Sequence, residues 1–444
     1  MAKFPANNWP MNEGQRQTGM PVNPDLNAEN SAYAVLRNRN VLLYLAGRLV
    51  FVVGQQMFVM AVGWELYERT HSAFMLGLVG LTQVVPMFLF TLPAGHLADN
   101  HNRKHIIFFT TLIVAGANAA LTWISAATAP VIWFYVCLFV AGTARTFLWA
   151  STASFLPQLV ERRYFSRAVT WQSGIFQLSS IIGPTAAGAL IGFCGHRAAP
   201  VYAVNAAAAL AFCTFIGFIR WKHVAAVRED MTLKTLLTGF KFVFANRIIL
   251  GIVTLDMFAV LLGGATALLP VYAKEILQIG PRGLGFLQAA LPAGAVACTF
   301  LLAHRPPIQK AGRSLLLAVT AFGLATIGFG FSKWFWLSFL MLFVCGAVDN
   351  VSVVVRHTLV QMLTPDEKRG RVSAVNNLFI GTSNELGEFE SGTIAYLAGP
   401  AIGNAVATGA IVSVVAGGVG TILVVMGVAW MWPEIGRYGR LDAV

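Results

Sequence analysis

The chain has 444 residues, 57% of them hydrophobic and 11% charged, where an ordinary soluble domain carries about 25% charged residues. So little polar surface cannot cover a water-soluble fold of this size. A soluble globular protein is excluded, and at about 20 residues per membrane crossing there is no room for a large extramembrane catalytic domain. The net charge of +12 would fit a nucleic-acid binder only if Lys and Arg shared one face or one domain, and here they are spread along the chain.

Residues 1–40 form a polar tail rich in Asn and Pro, without the apolar core of a cleavable secretory signal. The first hydrophobic span is therefore expected to act as its own uncleaved insertion signal. Apolar runs between polar breaks predict twelve crossings, near 41–64, 73–94, 105–127, 131–155, 169–193, 199–220, 247–272, 283–303, 314–331, 335–360, 372–398 and 405–431. Between the sixth and seventh, Lys222, Arg228, Lys234 and Lys241 alternate with apolar residues, which predicts an amphipathic surface helix. The expected organisation is an all-α polytopic membrane protein with a six-helix bundle over 41–220, a linker over 221–246, a second six-helix bundle over 247–432 and a tail over 433–444. Cys137, Cys194, Cys213, Cys298 and Cys345 all sit in apolar stretches without a CxxC pair and read as packing residues rather than disulfides.

With the N-terminus in the cytoplasm, the inner segments gather most basic residues, and the outer loops hold Arg69, Arg197, Lys274, Arg282 and Lys333. The positive-inside rule then places both termini in the cytoplasm. Trp64, Trp123, Trp133, Trp334 and Trp336 fall at outer ends and Trp221, Trp430 and Trp432 at inner ends, as an aromatic belt requires. An internal repeat runs at a nearly constant spacing of a little over two hundred residues. Asn38-Arg39 matches Asn246-Arg247, Arg48 matches Asp256, Pro86 matches Pro292, Arg145 matches Asp349 and Gly183 matches Gly387. Two related bundles with a pathway between them follow from it.

A charge deep in a bilayer costs at least about 2.5 kcal/mol, so each needs a partner, a wet cavity or a task. Arg48, Arg145, Asp256, Asp349, Arg356, Glu385, Glu388 and Glu390 are such residues. The repeat permits Arg48 with Asp256 and Arg145 with Asp349 to approach across the pathway; alternatively each is satisfied within its own half, as Asp349 would be by Arg356 on the same helix face. Glu385 and Glu388 share a helix face, and Glu390 points away from both. A carboxyl group in a dry site can hold and release a proton near neutral pH, so Asp256, Asp349, Glu385 and Glu388 are candidates for proton or cation coupling; a polar packing face is the blander reading. Arg48, Arg145 and Arg356 with Gln55, Gln172 and Asn376 are substrate-cavity candidates, although such amides equally hydrogen-bond between helices, worth about 0.6–2 kcal/mol each. Phe51, Phe58, Phe147, Trp149 and Phe258 are aromatic candidates to stack a substrate ring, against a default of lipid-facing filling.

Between the second and third spans stands Gly95-His96-Leu97-Ala98-Asp99-Asn100-His101-Asn102-Arg103-Lys104. It closely resembles the G-x-L-A-D-x-x-x-R-K loop of the major facilitator superfamily, in the position that family uses. Glycine lets the chain turn, the aspartate suits the positive start of a neighbouring helix, and Arg103 with Lys104 anchor at the inner surface. The resemblance implies the major facilitator fold of twelve helices and a conformational latch between Asp99 and the start of the eleventh helix near Arg371-Val372-Ser373. Gly183-Pro184-Thr185-Ala186-Ala187-Gly188 resembles the G-P-x-x-G-G core of the antiporter motif of drug–proton exchangers, with Ala187 departing from it. Thr70-His71-Ser72, Leu156-Pro157 and Thr364-Pro365, with Arg48, resemble the bacterial branch that contains the enterobactin exporter and macrolide efflux proteins.

The resemblance implies a secondary transporter of the inner membrane, with no cofactor, that exports a siderophore or an amphipathic drug in exchange for protons. A monomer in the lipid bilayer is expected. A divalent-metal exporter, for nickel or iron, is the alternative, motivated by Asp256, Asp349, His357 and the acidic eleventh span; no ligand cluster has tight metal spacing. An enzyme is not expected, since HExxH, GxSxG and P-loop patterns are missing from the sequence.

Overall fold

The computed structural model describes residues 33–220, 240–306, 308–401, 406–437 and 439. Residues 1–32, most of the expected amphipathic segment over 221–246 and the last residues of the C-terminal tail lie outside the described residues. Within them the regular structure is helical. The long runs are apolar all round rather than along one stripe, as suits helices surrounded by lipid and by one another. In chain order they are α1 (Arg39–Thr70), α2 (Ala73–Asn100), α3 (Arg103–Ala126), α4 (Ile132–Leu159), α5 (Phe165–Phe193), α6 (Ala199–Phe218), α7 (Arg247–Leu262), α8 (Gly280–Ala303), α9 (Ala311–Phe331), α10 (Phe335–Leu363), α11 (Asp366–Ala401) and α12 (Val406–Met431). Eleven of the twelve, counting α7 with its continuation to Ile276, are long and apolar enough to cross a membrane. The exception is α11, whose 36 residues include the acidic run; it is held among apolar neighbours by packing on α2, α7 and α12.

The repeated Asn-Arg pair has a local reason. The Asn38 side chain accepts from the Asn40 N–H at 3.0 Å, and the Asn246 side chain accepts from Ile248 and Ile249 at 3.1 and 3.2 Å. Each asparagine thus caps the first long helix of its half. The seventh span departs from the single helix expected over 247–272. It breaks after Leu262 at Gly263-Gly264, passes through a 3-10 turn (Ala265–Leu268) and ends in a π-helical turn (Tyr272–Ile276). A glycine pair followed by Pro270 supplies the cause.

The two sets pack alike. In the first, α1 lies against α5 and α6, α3 against α4 and α6, and α2 against α4; in the second, α7 lies against α11 and α12, α9 against α10 and α12, and α8 against α10. Two seams join the bundles, α2 on α11 and α5 on α8. The α5/α8 seam needs glycine, because a Cβ on Gly285 would strike the Pro184 carbonyl of α5.

The ends of this bundle pair differ. One hydrophobic cluster at the end remote from the chain termini draws on both bundles, joining Met60, Trp64 and Leu66 to Leu268, Tyr272 and Leu284. At the end nearer the termini the clusters are separate, one within α1–α6 and two within the second bundle. Polar contacts follow the same division. At the remote end Lys274 Nζ lies 2.7 Å from Glu68 Oε2, the Tyr67 hydroxyl donates to Glu275 Oε1 at 3.1 Å, and Arg282 lies 4.5 Å over the Phe193 ring. The bundles are therefore clamped together at the remote end.

Candidate functional site

The midpoints of α4 and α11 meet between the bundles. There Arg145 Nη2 lies 3.2 Å from Glu385 Oε1, with 47% of the arginine side chain and 18% of the glutamate side chain exposed. A Cβ on Gly80 of α2 would strike the backbone of Glu385 and the side chain of Glu388, so this glycine lets α11 pass close enough for Glu385 to reach the α4 arginine. Glu388 follows within one turn. One turn along α4 from Arg145, Trp149 is 56% exposed. Nearer the termini a cavity of about 230 Å³ is lined by Ala153, Leu156 and Pro157 of α4 and by Phe165, Val169, Gln172 and Ser173. Gln172 therefore lines a recess between α4 and α5.

The expected partners are rearranged. Arg145 crosses to the second bundle but meets Glu385 rather than Asp349. Asp256 pairs with Arg356 of α10, inside its own bundle and almost fully buried, so it does not meet Arg48; Arg48 stays half-buried one turn from Tyr44. Asp349 has no ion pair among the described residues, since the Asp256 carboxylate has taken the Arg356 guanidinium. A sequence repeat relates backbone positions but does not set the rotation of each helix, and the acidic run of α11 has no basic counterpart at its repeat-related place.

The other amide candidates are used within the bundles. Gln55 donates to Asn205 Oδ1 at 3.3 Å, Asn205 donates to Asn118 Oδ1 at 2.9 Å, and Asn118 closes the chain on the Val114 carbonyl at 2.7 Å. Gln55 is thus used between helices of the first bundle. Asn376 is buried on α11. Phe51 and Phe58 are buried core residues, Phe51 stacking on Phe212 at 5.2 Å. Among the described residues no group of three or more His, Cys, Asp and Glu side chains converges as a metal centre would require.

The motif expected as a loop is helical as far as Asn100 and again from Arg103, with only His101 and Asn102 between α2 and α3, so Gly95 lies inside α2 and makes no turn; the charged end of the motif is bound to its own bundle. Arg103, 2% exposed, donates from Nε to the Ala98 carbonyl at 2.8 Å and pairs with Asp99 at 3.4 Å. Lys104 Nζ donates to the carbonyls of Gly217 and Ile219 at 3.0 and 2.7 Å, which satisfies the C-terminal end of α6. Among the described residues Asp99 makes its ion pair with Arg103 rather than with the start of α11, in keeping with bundles that have separate cores at that end. Gly183, Pro184 and Gly188 lie where α5 meets α1 and α8.

A second polar group at the remote end was not foreseen. Glu65 pairs with Arg69 at 2.6 Å, and Arg69 donates to the Ser125 and Ala129 carbonyls at 3.0 Å each. With Tyr67, Glu68, Lys274 and Glu275 it makes α1 a post that holds both its own bundle and the other. The spacing of Glu65 and Arg69, four apart with opposite charge, was the available signal that the helix continues past Trp64.

Two bundles with matching internal packing thus meet at a charged contact. The family model described as "Major Facilitator Superfamily" matches residues 44–387. The chain belongs to the major facilitator superfamily. This major facilitator chain is 26% identical over 336 residues to the enterobactin exporter EntS of Shigella boydii serotype 4 (strain Sb227), covering 74% of this chain and 78% of that protein. EntS of Escherichia coli O1:K1 / APEC matches with the same identity and coverage. Among solved structures, an inward-facing, occupied bacterial homologue of the human lysosomal transporter Spinster superposes with a TM-score of 0.70 at 13% identity, covering 90% of this chain and 97% of that one. The nucleoside transporter NupG superposes with a TM-score of 0.68 at 13% identity, covering 88% of this chain and 99% of that one. This major facilitator protein is accordingly a multi-pass membrane transporter of a small molecule, not an enzyme.

Proposed function

We propose that this transporter exports a small organic molecule, a siderophore or an amphipathic drug, across a bacterial inner membrane in exchange for protons. The bundles rock about the α2/α11 and α5/α8 seams, exposing the space between them to one side at a time. The observation that carries this reading is the Arg145–Glu385 pair, a charge contact between the bundles at mid-helix depth whose arginine is about half exposed. A pair in that position must be remade whenever the bundles move. The enterobactin exporters among the relatives support outward movement of an organic solute. The density of Lys and Arg near the termini supports a cytoplasmic placement of that end, so the clamp formed by Glu68 and Lys274 would close the outer side.

Glu385 and Glu388 are the favoured carriers of the proton, being acidic residues within one turn of each other in a membrane-embedded helix. The test uses inverted membrane vesicles carrying an imposed pH gradient. Addition of substrate dissipates the gradient if solute and proton exchange. Organic solutes that leave the gradient untouched, with a response to divalent metal instead, would overturn the reading. Glu385→Gln and Glu388→Gln, singly and together, are expected to abolish coupling; unchanged pH-driven transport in all three returns these residues to a packing role.

A further inference from the structure

We infer that the second bundle, at its end nearer the termini, holds a zwitterionic phospholipid headgroup of the phosphatidylethanolamine class, with Arg247 on the phosphate and Glu434 on the ammonium. The inference is independent of the export reading above, since it concerns how this end meets the membrane and not the pathway.

The site is a recess of about 490 Å³ lined by Phe242, Ala245, Asn246, Arg247, Ile248 and Glu434. Glu434 belongs to α13 (Pro433–Arg437), a short helix beyond α12. Its neighbour Ile435 is fully buried in the cluster that joins α7, α9, α10 and α12. Gly251 of α7 makes room for this docking, because a Cβ there would come within 2.6 Å of Ile435 Cδ1 and 3.0 Å of the Trp432 ring. Beyond α13 the Gly439 carbonyl accepts from the Ala311 N–H at 3.1 Å. Packing and a backbone hydrogen bond thus fix Glu434 beside the start of α7. On the opposite wall Lys368 of α11 lies 5.0 Å over the Phe242 ring.

Arg247 and Glu434 are 3.6 Å apart, with 70% and 45% of their side chains exposed. The contact is longer than a hydrogen bond and too open to add much stability, so both groups stay accessible to a ligand that carries both charges. A guanidinium fork suits phosphate oxygens. A primary ammonium donates hydrogen bonds to a carboxylate, which the quaternary ammonium of phosphatidylcholine cannot do. Phosphatidylglycerol brings an anion without a cation and sets it near Glu434, a like charge. The start of α7 is not the binding element, because the Asn246 side chain already accepts from the Ile248 and Ile249 N–H groups. Phe244, Trp430 and Met431 are 60%, 84% and 46% exposed near this end, as suits the level where aromatic side chains meet headgroups. At the matching place of the first bundle Arg39 has no acidic partner among the described residues. There the Asn40 amide instead donates to the Arg220 carbonyl at 2.9 Å and accepts from its N–H at 3.3 Å. The repeat therefore supplies the arginine twice, and only the second bundle adds the acid.

The experiment places the purified full-length protein in nanodiscs of equal parts dioleoyl phosphatidylethanolamine, phosphatidylcholine and phosphatidylglycerol, and reads by native mass spectrometry which lipid stays bound. The wild type is expected to retain phosphatidylethanolamine about fivefold more often than phosphatidylcholine, the magnitude of a partly exposed charged contact. Glu434→Gln removes the like charge and is expected to move the preference towards phosphatidylglycerol. Arg247→Gln loses the preference for phosphatidylethanolamine, and Arg247→Lys keeps it in weaker form, which preserves the test should the glutamine variant fail to fold. Phosphoethanolamine, the soluble headgroup, is expected to leave the lipid in place; displacement by it would assign the recess to a soluble zwitterion and overturn the membrane partner. Equal retention of phosphatidylethanolamine and phosphatidylcholine by the wild type, or the wild-type preference kept in both Arg247→Gln and Glu434→Gln, overturns the inference.

Discussion

Replacing Lys274 by glutamate attacks the clamp between the bundles at the remote end. The wild-type pair Lys274–Glu68 spans 2.7 Å with side chains 25% and 44% exposed, so solvent screening limits its worth to about 1 kcal/mol or less. The substitution removes that attraction and sets a carboxylate near Glu68 and Glu275, adding a repulsion of about 1 kcal/mol at 4 Å in a water-like dielectric. The combined change of about 2 kcal/mol shifts the closed-to-open ratio at this end about thirtyfold. The assay is a spin-label distance measurement between Ala127→Cys and Lys333→Cys, exposed positions on the α3–α4 and α9–α10 connections. The five free cysteines are first replaced. Lys274→Glu is expected to populate a longer distance, and Glu68→Lys combined with Lys274→Glu to restore the short one. A single variant with the wild-type distance distribution, or a charge swap no better closed than the single variant, would refute the clamp.

The remaining predictions concern packing. Arg356→Met leaves Asp256 buried without its cation and is expected to cost about 3–5 kcal/mol, whereas Asp256→Leu with Arg356→Met recovers most of the loss; thermal unfolding of the purified variants decides, and a double variant as unstable as the single one counts against the pair. Gly285→Ala forces a methyl group against the Pro184 carbonyl and is expected to reduce transport at normal expression, with a longer distance in the spin-label assay; normal transport would show that the α5/α8 seam yields. Asn205→Leu breaks the Gln55–Asn205–Asn118 chain and is expected to destabilise by about 1–2 kcal/mol, measured by the same unfolding assay, while sparing substrate binding.

The behaviour of the charges in the spans explains how far residue order reaches. Arg145 and Glu385 were each recognisable as functional because a charge in an apolar run is conspicuous wherever it stands. Their meeting was not recognisable, since it depends on Gly80 letting α11 close on α2 and on the rotation of α4. Glu65, Glu68 and Glu275 are inconspicuous in the sequence because they lie where a span merges into a connection, and composition there does not tell a helix end from a loop. The break in the seventh span was signalled by Gly263-Gly264 and Pro270, yet an apolar run of that length is equally compatible with one straight helix.

The crossings, their division into two related sets and the loop that marks the family were determined by the sequence alone. Partition into lipid is a local property that adds up residue by residue, and a duplication leaves its spacing in the chain. Which charges meet, which amides serve packing and which end of the bundle pair is clamped were decided only by the tertiary structure. Those outcomes depend on helix rotation and on close approach at two glycine-bearing seams, where residues hundreds of positions apart first become neighbours.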